Sequence, residues 1–165
     1  MTRLLGIDLG ERRIGLALAD DDGSHARPHS TLRRAADPDV DAAALAALIA
    51  ANGIDELVIG LPLEASGIEG PQAAITQRWA AAMQQRLGLP VSFRDERLTS
   101  HLAETRLGPM KRGRSGGPPS KTQRDAYRAR VDREAAAIIL QDELDARASG
   151  RVAQTRAATQ LVDDQ

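Results

Sequence analysis

Leu4-Leu5-Gly6-Ile7-Asp8-Leu9-Gly10-Glu11-Arg12-Arg13-Ile14-Gly15-Leu16-Ala17-Leu18 decides how the rest of the chain is read. Leu4 to Ile7 is a short apolar run that closes on Asp8, and Arg13 to Leu18 is a second run after the turn-like Gly10-Glu11-Arg12. Two apolar runs separated by so short a polar break predict a β-hairpin. Asp8 then stands at a strand end. Gly6 and Gly10 flank it, and residues without a side chain let a ligand or another backbone come close. A carboxylate there suits either of two tasks: satisfying backbone donors in the turn, or facing a cation and a phosphate.

Beyond the hairpin a weak third strand is expected near Ser30 to Arg33. Asp37-Pro38 has the composition of a helix start, and the Ala/Leu-rich stretch runs to Asn52 with Gly53 as its stop. Glu56 to Leu61 reads as a buried strand and Pro62 to Gly70 as a loop. Pro71 then opens a helix to about Leu87 that stops at Gly88 and yields to the strand Val91 to Arg94. Strands alternating with helices after a hairpin predict an α/β domain, a mixed sheet with helices on its faces. Gly108 to Pro119 is rich in Gly, Pro and basic residues and reads as a mobile loop. Ser120-Lys121-Thr122-Gln123 fits a capping box for a long final helix that carries Asp132. Past Gly150 the chain turns polar, so a single domain over 1–150 with a loosely docked tail, 151–165, is expected.

At 165 residues with 42% hydrophobic and 27% charged composition, the chain can bury a core without covalent staples. It has no cysteine, which excludes disulfides, zinc–thiolate sites and thiol nucleophiles. Asp8 interrupts the amino-terminal segment before a signal-peptide apolar region can form, and no later apolar run approaches transmembrane length. A cytoplasmic location without a membrane partner is the expectation. Net charge is −1, but it is segregated: residues 106–133 hold nine Lys/Arg against Asp125 and Asp132, leaving the remainder at −8. Such a basic stretch suits phosphate contacts, with Lys111, Arg112 and Arg114 in the loop as candidates; a solvated helix face is the competing explanation.

Two more acids stand out. Asp95-Glu96 follows the strand Val91 to Arg94, and alternation sends the two side chains to opposite faces, so one of them, taken as Glu96, points toward the Asp8 edge. Asp132 shares a helix face with Ala135, Ala136, Ile139 and Leu140, the face that should pack on the sheet. A carboxylate there must be neutralised, ion-paired or bound to a cation; Arg128 or Arg97 is the expected partner in the ion-paired case. Asp8, Glu96 and Asp132 together offer the hard oxygen ligands that Mg²⁺ or Mn²⁺ prefers, and metal-assisted phosphodiester hydrolysis needs such a set. Arg12, Arg13 and Arg97 lie beside the acids in sequence, suited to phosphates or to charge balance. His25, His29 and His101 share no ligand spacing.

Gly6-Ile-Asp8-Leu-Gly10 with Arg13-Ile-Gly-Leu-Ala17, then Ile59-Gly-Leu-Pro62, Asp95-Glu-Arg-Leu-Thr99, and Asp132 followed by Ala135-Ala136 and Ile139-Leu-Gln141, in this order over residues 4–144, resemble the YqgF/RuvX family. The resemblance implies an RNase H-like fold related to the RuvC resolvases, antiparallel strands first and parallel strands after. Asp8, Glu96 and Asp132 match the family's metal-binding acids. It further implies a metal-dependent nuclease acting in maturation of the 5′ end of the small-subunit ribosomal RNA precursor, with Holliday junction resolution on branched DNA as the alternative. The stretch Gly113 to Arg130 looks longer than the family's short basic connection.

The glycine-flanked Asp8 also resembles the first phosphate motif of actin-like ATPases and sugar kinases, but those need two such domains and 165 residues cannot hold them. A non-catalytic nucleic-acid binder is a third possibility, disfavoured by intact acids at all three positions. Aromatic residues make up 2% of the chain, with Trp79, Phe93 and Tyr127 on separate elements, so recognition through the backbone is expected rather than base stacking. A monomer or a homodimer is compatible with these features.

Overall fold

The computed structural model describes residues 2–97 and 99–163, with side chains described through Gly150. Its elements are β1 (Leu4–Leu9), β2 (Arg13–Ala19), β3 (Ala26–Arg33), α1 (Pro38–Asn52), β4 (Glu56–Leu61), α2 (Pro71–Leu87), β5 (Val91–Asp95), α3 (Thr99–Leu107) and α4 (Lys121–Asp163). The five strands form one sheet in the order β3-β2-β1-β4-β5. The first three pair antiparallel, and β1, β4 and β5 pair parallel, so the expected mixed α/β sheet is the one observed.

Alternation along β1 divides the core. Leu5 and Ile7 face α1 and α2, packing with Ile14, Leu16, Leu45, Ile59, Trp79 and Met83. Leu4 faces the other way, into a cluster with Ala17, Val58, Ala136, Ile139 and Leu140 under α4. Gly6 and Asp8 share Leu4's parity and therefore lie on the α4 side. Burial of these apolar faces supplies the driving force, at about 25 cal/mol per Å². It also commits each strand to one register, since a one-residue slip would turn Asp8 into the α1/α2 core.

Helix ends follow the local signals. Asp37 accepts a hydrogen bond from the Asp39 N–H at 2.9 Å, and Gly53 ends α1 in the left-handed region at φ 61°. The capping box at the start of α4 is reciprocal: Ser120 N–H donates to Gln123 Oε1 at 2.7 Å and Gln123 N–H to Ser120 Oγ at 3.1 Å.

Three departures from the sequence expectations are structural. β3 starts at Ala26 instead of Ser30; it is an edge strand, largely exposed, with Pro28 at a register shift, so it lacks the buried alternation that would have marked it. The 108–119 loop, expected to be mobile, is tied down, Tyr127 Oη donating to Gly108 O at 2.8 Å and Gln123 Nε2 to Arg112 O at 3.2 Å, while α4 begins after Ser120 as the capping box implies. Residues 151–163, expected as a polar tail, continue α4 as helix.

α4 lies unusually close to the sheet because glycines face it. A Cβ on Gly15 would sit 2.1 Å from the Asp132 carbonyl oxygen, and one on Gly6 would sit 2.7 Å from the Ala136 carbonyl oxygen. Neither backbone can yield without moving the helix. Gly15→Ala should therefore destabilise the fold by about 1–3 kcal/mol or more, the scale of overpacking, in urea unfolding followed by circular dichroism. Gly150→Ala, in open space on the same helix, should be neutral or stabilising by up to about 1 kcal/mol. Equal stabilities for the two variants would contradict this account of the helix seat.

Candidate active site

The site is built where β1 and β4 run side by side. Asp8 pairs across the antiparallel ladder with Gly15, and Ile7 pairs with Ile59 across the parallel one, which sets Gly60 beside Asp8 on its other flank. Cross-strand neighbours share a face. Asp8 thus projects toward α4 between two residues that have no side chain, and it is 9% exposed.

Each flanking glycine admits one further acid. Glu96 follows the end of β5, its N–H donating to the Leu61 carbonyl at 3.2 Å, and its side chain lies over Gly60, where a Cβ would meet Glu96 Oε2 at 2.5 Å. The Glu96 carboxyl reaches hydrogen-bond contact with that of Asp8. On the other flank, the turn of α4 carrying Asp132 presses its backbone onto Gly15. Gly6, singled out as room for a ligand or a backbone, makes room for a backbone, that of α4.

Asp95, on the opposite face from Glu96 as alternation requires, is exposed. It pairs with Arg97, 2.7 Å between Nη2 and Oδ2, and accepts the Arg97 N–H at 2.9 Å. Arg97 also donates to the Ala65 carbonyl at 3.3 Å. Asp132 is partnered neither by Arg97 nor by Arg128 but by Arg13, whose Nε lies 2.7 Å from Asp132 Oδ2. The reason is register: Arg13 shares parity with Gly15 and Ala17, so it extends along the α4 face. Glu11, Arg12, Arg13, Arg128, Asp132 and Gly10 line a cleft of about 450 Å³ at the turn between β1 and β2.

Burial pushes the Asp8 carboxyl well above the usual carboxylate range; contact with Glu96 opposes this and the nearby Asp132 charge adds to it. Glu96 is pushed up further, first by burial and then by the Asp8 charge and hydrogen bond. Asp132 is raised by burial, with Arg13 opposing. Among the described residues, no Lys or Arg forms an ion pair with Asp8 or Glu96. A buried and a half-buried carboxyl, crowded together and without a Lys or Arg partner among the described residues, are a donor set that fits a hard divalent cation. Asp132 stands one step off: Asp8, Glu96 and Asp132 do not bring three ligand atoms within 4.8 Å of one another, since Asp132 is engaged by Arg13.

Among the described residues the acid cluster that does meet that spacing is Asp20, Asp22 and His25, in the exposed connection between β2 and β3. Its carboxylates are occupied by the turn they close: Asp22 accepts the Ser24 N–H at 2.9 Å and Asp20 the His25 N–H at 3.1 Å. Lys111, Arg112 and Arg114 are exposed on the 108–119 loop and line none of the cleft beside Asp132.

A single α/β domain with a mixed five-stranded sheet, one carboxylate near the end of the central strand β1, a second just past the edge strand β5 and a third on the covering helix has the fold of the RNase H-like nucleases. The chain belongs to the RuvX family, whose model, described as "RuvX: Holliday junction resolvase", matches residues 2–146. Curated relatives named "Putative pre-16S rRNA nuclease" include one from Chloroflexus aurantiacus, 42% identical over 88% of this chain and 88% of its own. Another, from Anaeromyxobacter dehalogenans, is 42% identical over 88% of this chain and 98% of its own. Among solved structures, RuvC of T. thermophilus in complex with a Holliday junction substrate superposes with a TM-score of 0.53 at 14% identity, over 90% of this chain and 97% of that one, a likeness of fold.

The raised carboxyls carry a stability signature. A group that binds its proton more tightly when folded adds stability that is fully present below its unfolded pKa and is lost as pH rises through its folded one. In chelator, the wild-type melting temperature should therefore fall as pH climbs out of the usual carboxylate range into the alkaline side. Glu96→Gln should flatten that fall, and Mg²⁺ should restore the alkaline stability of the wild type more than that of the variant. A wild-type profile that matches the variant's, with and without Mg²⁺, would remove the crowded pair as its cause.

Proposed function

We propose that this chain is a metal-dependent nuclease that hydrolyses phosphodiester bonds in maturation of the 5′ end of the 16S ribosomal RNA precursor, in the cytoplasm. The observation that carries the reading is the Asp8–Glu96 contact, a buried and a half-buried acid that form no ion pair with Lys or Arg among the described residues. The relatives' shared name supports the RNA substrate, and among the described residues no helix is long and apolar enough to cross a membrane.

In this reading Asp8 and Glu96 hold the cation, Mg²⁺ or Mn²⁺, and Asp132 is the third ligand. When bound, such an ion activates water and offsets the charge that builds on the scissile phosphate. Arg13 has two partners available to it. Its guanidinium neutralises Asp132, and the same group borders the cleft in which a phosphate can lie. Arg97 is the proposed contact on the β5 side, in competition with Asp95. Lys111, Arg112 and Arg114 are proposed to hold flanking phosphates, being exposed and clustered. One chain contains the whole acid set, so a monomer suffices for a single cut, whereas paired cuts across a symmetric junction would call for a homodimer.

The test is cleavage by purified protein of a transcript spanning the 16S precursor 5′ end and of a four-way DNA junction, each with Mg²⁺, Mn²⁺ or chelator. Metal-dependent cutting of the transcript is expected. Asp8→Asn should reduce it by about three orders of magnitude, roughly 4 kcal/mol of transition-state stabilisation, while the fold is retained. Preferential cutting of the junction would transfer the activity to branched DNA, and undiminished cutting by Asp8→Asn would end the mechanism.

A further inference from the structure

We infer that the groove between the β1–β2 turn, the end of β3 and the first turn of α4 is the track along which a single nucleic-acid strand leaves the acids, held by its phosphates. The inference rests on the nuclease reading and adds to it a binding surface distinct from the 108–119 loop. The groove encloses about 630 Å³, a volume in the range of sites that take drug-sized ligands. Arg12, Arg13, Arg33, Arg34 and Lys121 line it. Two acids accompany them: Glu11, and Asp125, which is held by Lys121 at 2.8 Å.

Arg12 and Arg33 are exposed and, among the described residues, pair with no carboxylate. An unpaired guanidinium on a fixed backbone suits a phosphate, because its planar fork matches the phosphate oxygens and no ion pair has to be broken first. The backbone here is fixed by three bonds. Gly10 N–H donates to the Arg13 carbonyl and Arg34 N–H to the Arg12 carbonyl, each at 2.9 Å, while Arg34 Nη1 donates to the Gly10 carbonyl at 2.9 Å. The tip of the turn is thereby clamped between β2 and the end of β3.

Position argues for a strand in place of a small anion. The groove shares Glu11, Arg12 and Arg13 with the cleft that contains Asp132, so the two lie side by side along one turn and Arg13 borders both. A strand held in the cleft beside Asp132 would continue past Arg13 into the groove, where Arg12 and Arg33 can meet its flanking phosphates. No aromatic side chain lines the groove. Contacts there fall on the sugar–phosphate backbone and carry no base preference.

Binding in chelator tests this independently of cutting. A fluorescently labelled 12-nucleotide RNA strand is titrated by anisotropy at several salt concentrations with the wild type, the double variant Arg12→Glu/Arg33→Glu and the loop triple variant Lys111→Glu/Arg112→Glu/Arg114→Glu, all checked for an unchanged fold by circular dichroism. The groove variant should bind at least about tenfold more weakly and lower the slope of log K against log salt by about 1.4, two single-strand phosphate contacts at ~0.7 each. A slope equal to the wild type's overturns the groove, whatever the loop variant does. The chain has no cysteine, so Lys121→Cys carries a single addressable thiol. Labelled with a photocrosslinker, it should join the RNA strand in a reaction that unlabelled strand competes; absence of that product, or equal competition by polyglutamate, also overturns the proposal. A wild type that binds as expected and cuts nothing would sink the nuclease reading alone.

Discussion

Asp8 can be met from both sides only because the strands beside it present hydrogen where other residues present a side chain. Gly15 and Gly60 flank it, one on β2 and one on β4. A Cβ on the first would run into the backbone of α4 at Asp132, and a Cβ on the second into the Glu96 carboxyl. The acids come from β1, the end of β5 and α4; what these two positions lack lets Glu96 lie against Asp8 and lets the turn of α4 that carries Asp132 settle beside them. The closeness of α4 and its seat over Leu4, Ala17 and Val58 follow from the same feature.

Crowding acids has an electrostatic cost that the fold does not cancel with side chains alone. Asp132 has Arg13, while Asp8 and Glu96 have each other, and burial drives their carboxyls toward holding a proton. Purely structural acids in this chain are treated differently. Glu56, at the far end of the sheet, is clasped by Arg147 at 2.8 Å and by Ser92 at 2.8 Å, which hold its carboxyl below the usual range. Asp41, buried between helices, accepts from Trp79 Nε1 and the Ala35 N–H. The contrast separates acids tied into the scaffold by an ion pair or by hydrogen-bond donors from a pair that, among the described residues, has no Lys or Arg partner.

Much of this was legible in local sequence. Asp37, Gly53 and the Ser120–Gln123 box marked helix ends because caps act within one turn of chain. Alternation separated Asp95 and Glu96 onto opposite faces without saying which of them turns inward, and helical spacing put Asp132 on the face that packs against the sheet. What escaped depends on distant register. The Arg13–Asp132 pair spans 119 positions and exists because β2 parity aims Arg13 at α4. The parts played by Gly15 and Gly60 appear only when β1 is laid between its two neighbours; a usable signal would have been glycines in step with Asp8 on two other strands. β3 was short in the sequence reading because an exposed edge strand carrying Pro28 has little alternation to show.

The central claim is that Asp8 and Glu96 are the home of a divalent ion, with Asp132 drawn in from Arg13. A crystal structure of the protein grown with Mn²⁺, using the metal's anomalous signal, addresses it most directly. The account requires a peak bridging Asp8 and Glu96, with Asp132 turned from Arg13 toward it. A peak confined to the exposed Asp20–Asp22–His25 turn, or none between Asp8 and Glu96 at saturating metal, would contradict it.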